Sequence, residues 1–166
     1  LMTFEDGAKP AYEILEELPE DELAKLILEL GDERYANKIA ESIKASGPIR
    51  TTKALAEAIV RAVPKGYERG RIHPATRTFM ALRMRANREL ESIAEILGAL
   101  GRVLKPGGRV AVITFHSGED RIVKNIFRDQ KVVLSRLNKK PITAGMDELA
   151  NNPRARSAKL RAAVIL

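Results

Sequence analysis

Apolar residues recur three and four apart from Leu23 through Leu26 and Ile27 to Leu30, which predicts an amphipathic helix. Pro19 fits the first turn of that helix, with Glu20, Asp21 and Glu22 at the positive end of its dipole, and Gly31 is read as its stop. Asp32 is expected to cap a second helix that turns Tyr35, Ala36, Ile39 and Ile43 inward and ends near Ser46-Gly47-Pro48. Thr51 or Thr52 caps a third, with Leu55, Ile59 and Val63 on one face and Pro64 behind it. No strand pattern interrupts these helices, so the first part reads as a small all-helical unit.

The pattern then changes. Lys65 to His73 is a basic, glycine-containing loop, and Pro74 opens a helix over T-R-T-F-M-A-L-R-M-R-A-N. A longer helix follows, its stripe formed by Leu90, Ile93, Leu97, Leu100 and Leu104, and Lys105-Pro106-Gly107-Gly108 is the turn behind it. Arg109 to Phe115 is largely apolar, as expected of a strand buried on both faces. Residues 119–128 suit a helix with Ile122, Val123, Ile126 and Phe127 inward. Lys131 to Leu137 and the tail from Ser157 to Leu166 read as two more strands, separated by a loop over residues 138–153 with one helical turn. Helix, tight turn and buried strand in this order predict an α/β fold, with the two late strands as an antiparallel edge.

Charge refines this picture. The 166 residues carry a net +7, yet residues 1–33 hold eleven acids and two lysines, a balance of −9 that leaves +16 for the rest. A polyanionic partner suits that basic part, nucleic acid first; a merely solvated basic surface is the plainer reading. The chain has no cysteine, which excludes disulfides and thiolate metal sites and suits a reducing, cytoplasmic setting. No apolar run reaches the roughly 20 residues of a membrane span. The first residue is Leu1, so a piece of a longer product, or a processed one, is expected.

Three clusters carry candidate chemistry. The first is H-S-G-E-D-R, residues 116–121, at the end of the expected buried strand. Ser117 as helix cap with Glu119 and Asp120 in the first turn explains three of these residues without any function. It leaves His116 and Arg121 unexplained, and the carboxyl end of a strand is where open α/β sheets place ligands. A hydrolytic triad is disfavoured, because neighbouring His116 and Ser117 diverge and no G-x-S-x-G elbow is present. The second cluster is R-I-H-P-A-T-R-T-F-M-A-L-R, where His73, Thr76, Arg77 and Arg83 put donors near Arg69 and Arg71 at a helix start, suited to phosphate. The third is N-P-R-A-R-S-A-K-L-R, with Arg154, Arg156, Lys159 and Arg161, which also suits a charged edge strand. Metal binding has no support: His73 and His116, the only histidines, stand far apart without ligand spacing. No glycine-rich loop follows a strand and opens a helix as phosphate cofactors require.

R-I-H-P-A-T-R-T-F-x-A-L-R, L-x-P-G-G-R-x-x-V-I-x-F-H-S-x-E-D-R-I-V-K, K-K-P-I-T and N-P-R-A-R-S-A-K-L-R together resemble the MraW family, bacterial S-adenosylmethionine-dependent methyltransferases acting on N4 of a cytidine in 16S ribosomal RNA. P-E-D-E-L-A-K-L-I-x-E-L-G-D-E-R-Y-A-x-K-I-A resembles that family's helical insertion. The resemblance implies part of a class I, Rossmann-like methyltransferase sheet with an inserted all-helical domain: residues 1–72 insertion, residues 73–166 the C-terminal half of the catalytic domain. It implies a pocket formed by His116, Ser117, Glu119 and Asp120, with His73, Thr76, Arg77, Arg83 and Arg121 on the substrate side and Arg154, Arg156 and Lys159 as further RNA contacts. The family's S-adenosylmethionine site lies mainly in a half expected upstream of Leu1, so the chain by itself is expected to bind the cofactor poorly. Gly118 stands where the family usually has Leu. The partner implied is 16S ribosomal RNA or the small ribosomal subunit, in the cytoplasm, with a dimer as one allowed state. The alternative is a non-catalytic RNA-binding module. A DNA-binding helix-turn-helix over residues 20–63 is opposed by its acidic first helix.

Overall fold

The structure, a computed structural model, describes residues 2, 9–70 and 72–166 and falls into two compact units, Leu1–Arg88 and Glu89–Leu166. The first is helical: α1 (Ala11–Glu17), α2 (Glu20–Gly31), α3 (Ala36–Ala45), α4 (Thr52–Ala62) and α5 (Thr76–Ala86), with a 3-10 turn at Tyr67–Gly70. Each long helix turns its three-and-four stripe into one core, where Leu23, Ile27, Ile39, Ile43, Ile59 and Leu82 are buried. The Thr51 hydroxyl accepts the Ala54 N–H at 3.1 Å and fixes the start of α4. Helix α5 lies in this unit and packs on α2 and α1.

Two sequence expectations change here. Asp32 does not cap α3. It ends α2 in the left-handed conformation (φ 49°), and α3 begins only at Ala36, after Tyr35. The cause is Glu33, which is fully buried: its carboxylate accepts the Tyr35 N–H at 2.8 Å and the Tyr67 hydroxyl at 2.8 and 2.9 Å, so residues 32–35 wrap around it. Gly31 also has another purpose than ending the helix. A Cβ there would stand 2.9 Å from the Arg77 carbonyl oxygen, so glycine lets α2 and α5 approach.

The second unit contains α6 (Glu89–Gly98), α7 (Leu100–Val103), β1 (Arg109–Thr114), α8 (Ser117–Asp129), β2 (Leu134–Arg136), β3 (Ile142–Thr143), α9 (Met146–Asn151), a 3-10 turn at Pro153–Ser157 and β4 (Lys159–Ile165). Strand β4 is central: β1 flanks one side and β2 the other, β3 also pairs with β4, and every pairing is antiparallel. The register sets Val112 opposite Arg161, Leu134 opposite Ile165 and Ile142 opposite Leu160. Val123 and Phe127 of α8 pack with Leu97, Leu100, Leu134, Ala163 and Ile165 into the core. The unit is thus α/β, as the pattern predicts.

The long helix expected through Leu104 is broken at Ala99 into α6 and α7, with the helix-weakening Gly98 at the break; Leu97 and Leu100 still both face the core. Strand β1 is not buried on both faces. Val110 and Val112 face the core, Thr114 is buried, and Arg109, Ala111 and Ile113 are exposed, because within this unit no described helix lies over that side. An apolar run reports what a strand is suited to meet; the alternation here reports what this chain supplies. No helix among the described residues is long and apolar enough to cross a membrane.

Candidate functional site

Strand β1 delivers the chain to His116, and α8 starts one residue later. Ser117 is therefore not the cap; it is the first helical residue, and His116 holds the cap position in extended backbone (φ −137°, ψ 166°). His116 Nδ1 accepts the Glu119 N–H at 3.3 Å, while Glu119 Oε2 accepts the N–H groups of Phe115 at 2.7 Å and His116 at 3.2 Å. This is a capping box with imidazole in place of the usual hydroxyl. The longer Glu119 reaches back to the strand end, which places the box on 116 and 119, not on Ser117 and Asp120.

The box orients the imidazole. Because Nδ1 accepts a backbone proton, the neutral ring carries its own proton on Nε2. Nε2 is buried and makes no hydrogen bond, though it stands 3.2 Å from Glu119 Oε1, close enough for attraction but off line. Burial by itself would raise the Glu119 carboxyl pKa; the His116 imidazole and the Phe115 and His116 backbone N–H groups outweigh it and hold the carboxyl below its ordinary value. Glu89, at the head of α6, brings a second carboxylate, and ligand atoms of Glu89, His116 and Glu119 lie within 4.8 Å of one another. A divalent cation would need Nε2 without its proton, which the accepting role of Nδ1 opposes.

Asp120, the next residue, has other partners. Both its oxygens take Arg161, Nε–Oδ1 at 2.7 Å and Nη2–Oδ2 at 3.1 Å, with Lys159 Nζ at 3.6 Å. The Arg161 guanidinium, hydrogen-bonded to both oxygens, holds the carboxyl below the usual aspartate range against the opposing effect of burial. Ser117 and Arg121 are exposed on the first turns of α8. Arg154 and Arg156 are exposed in the 3-10 turn before β4. The described residues thus gather His116, Glu119 and Glu89 in one group and Asp120, Lys159 and Arg161 in another, both on the second unit.

His73, Thr76, Arg77 and Arg83 belong to the first unit. His73 Nδ1 accepts the Ala75 N–H at 3.1 Å and starts the turn into α5. His73, Thr76 and Arg83 line a cleft of about 790 Å³ between α4 and α5, floored by Ala56, Phe79 and Met80 with Lys53 at its edge. Arg77 lies outside that lining and donates to the Asp32 carbonyl oxygen at 3.0 Å, satisfying the end of α2. Arg71 lies outside the described residues. Sequence reasoning missed Glu89, whose place beside His116 depends on how α6 packs on α8, a contact with no local signature.

An S-adenosylmethionine site needs free backbone N–H groups at a strand-to-helix turn and an unpaired carboxylate for the ribose. At the β1–α8 turn His116 and Glu119 occupy such N–H groups, and Asp120 is taken by Arg161. At this turn the N–H groups of Phe115, His116 and Glu119 are therefore not available to the cofactor. The sequence pattern of the MraW methylase family matches residues 2–165.

The chain belongs to the MraW methylase family.

Its relatives agree. It is 52% identical over 157 residues to ribosomal RNA small subunit methyltransferase H of Sorangium cellulosum, covering 92% of this chain and 49% of that protein. The protein of the same name from Nostoc sp. is 49% identical over 153 residues, covering 92% and 50%, and that from Kosmotoga olearia 48% over 161 residues, covering 95% and 54%. This MraW chain spans about half the length of the curated relatives it matches. At Gly118, a Cβ would stand 3.3 Å from His116 Nδ1 and 3.9 Å from Leu90 Cδ1, so a leucine there would press on the capping imidazole and reach Leu90.

Proposed function

We propose that this chain serves the methylation of N4 of a cytidine in 16S ribosomal RNA, with S-adenosylmethionine as the methyl donor. The family match and the relatives' names support ribosomal RNA methylation. The observation that carries the cytidine reading is the Glu119 carboxylate at the end of β1, held ionised beside the locked His116 imidazole where open α/β sheets place their ligands. The N4 amine of cytosine is a donor that such a carboxylate accepts. A base held there, out of its stack, has its amine fixed in position, which methyl transfer needs more than a strong base.

In this reading His116 and Glu119 hold the base, Ser117 and Arg121 border it, and Asp120 with Arg161 positions α8 on the sheet. His73, Thr76, Arg77 and Arg83 meet the substrate from the helical segment, while Arg154, Arg156 and Lys159 contact phosphates. The segments 1–72 and 73–166 are the insertion and the C-terminal half of the catalytic domain, working in the cytoplasm on the small ribosomal subunit. The occupied backbone N–H groups of the β1–α8 turn favour a second reading, a non-catalytic RNA-binding module. Calorimetry separates the two: the methyltransferase reading expects S-adenosylmethionine to bind the full-length gene product at micromolar concentration. No binding to that product supports the module.

A further inference from the structure

A further basic site lies in the helical unit. Arg34, Tyr35, Lys65, Gly66, Tyr67 and Arg69 line a cavity of about 360 Å³. Tyr35 and Tyr67 meet edge to face with centroids 5.2 Å apart, and the Arg34 guanidinium stands 5.4 Å from one centroid and 5.1 Å from the other. These contacts hold an exposed guanidinium in one place, so less side-chain freedom is lost when it binds an anion. Among the described residues, none of Arg34, Lys65 and Arg69 forms an ion pair. Glu33, beside Arg34 in the chain, is fully buried and already accepts from Tyr67 and Tyr35.

The backbone of the rim is unusual as well. Gly66 has φ 76° and Arg69 has φ 50°, a left-handed conformation that a non-glycine residue adopts at a cost. It sets Lys65 and Arg69 on the same cavity as Arg34, which lies more than thirty residues earlier in the chain. Three unpaired cations around a polar hollow with aromatic walls suit one ligand chemistry, a phosphodiester, which two guanidinium groups grip through matched oxygens.

We propose that the cavity of Arg34, Lys65 and Arg69 binds a backbone phosphate of single-stranded RNA. The proposal rests on the reading that RNA is the partner and adds Arg34 and Lys65, which none of the three motif clusters contains, to Arg69, which the sequence places beside the second.

The test is binding of this chain to a fluorescent single-stranded oligoribonucleotide, followed by anisotropy across a salt series. Lys65→Gln and the double variant Arg34→Gln/Lys65→Gln are compared with the parent chain and with Arg154→Gln, and helix melting by circular dichroism verifies folding. Lys65 makes no hydrogen bond or ion pair among the described residues, so Lys65→Gln guards against a variant that fails to fold. The expected result is a log–log salt slope shallower by about 0.7 for the single and about 1.4 for the double variant. Unchanged slopes in both pocket variants, with a shallower slope for Arg154→Gln, overturn this site while leaving RNA as the partner. No RNA binding by the parent chain overturns both.

Discussion

Asp120 and Arg161 join α8 to β4 through two parallel hydrogen bonds, at 2.7 and 3.1 Å, with both side chains nearly out of solvent. Two motif residues that read separately along the chain, one in H-S-G-E-D-R and one in S-A-K-L-R, are thus one structural unit. Asp120→Asn leaves the Arg161 guanidinium buried without its counter-charge. We expect a loss of about 3 kcal/mol, since breaking one side of a buried pair costs far more than the pair contributes. Urea unfolding measures it, and a loss below about 1 kcal/mol would mean that Arg161 finds solvent when released.

Acid should weaken the second unit. Asp120 and Glu119 both titrate below their ordinary values in the folded chain. A depressed folded pKa adds stability that is present above the unfolded values, about 3.9 for Asp and 4.3 for Glu, and is lost as pH falls through the folded values. The urea midpoint is therefore expected to be nearly level from pH 7 to about 5 and to drop below about 4. Glu119→Gln/Asp120→Asn should flatten that drop. A midpoint that rises between pH 5 and 3 would contradict the assignment.

Gly31→Ala should destabilise the helical unit, although alanine in a helix interior is normally favourable by up to about 1 kcal/mol. The new methyl would stand 2.9 Å from the Arg77 carbonyl oxygen, a backbone atom that moves only if α5 moves. A net loss of about 1 to 3 kcal/mol is expected. An unchanged or higher melting temperature would show that the two helices separate without penalty.

The helices were legible wherever periodicity was local: α2 and α4 follow stripes and stops written in adjacent residues, and α8 follows its stripe. What the sequence hid depends on contacts between distant residues. Asp32 looked like a cap because the pull of buried Glu33 on residues 32–35 comes partly from Tyr67. Ser117 looked like a cap because serine is the common choice, whereas Glu119 reaching back to Phe115 decides the frame. The strand end was visible as a candidate site; the neighbour Glu89, the tautomer of His116 and the engagement of Asp120 by Arg161 were not.

Arg154 should contribute to RNA affinity through charge alone, since it is exposed in the turn before β4. Arg154→Ala is expected to weaken RNA binding at low salt and to make the log–log salt slope shallower by about 0.7, without changing the melting temperature. An unchanged slope would remove Arg154 from the RNA-facing surface.

The central claim is tested most directly by incubating small ribosomal subunits with S-adenosylmethionine and the full-length gene product, wild type or His116→Ala, and analysing the digested 16S RNA by nucleoside mass spectrometry. The account predicts N4-methylcytidine with the wild type and at least a hundredfold less with a His116→Ala variant that melts within a few degrees of it, as expected when a base-positioning contact is lost. Methyl groups on another atom or nucleoside, or equal methylation by the variant, would contradict it.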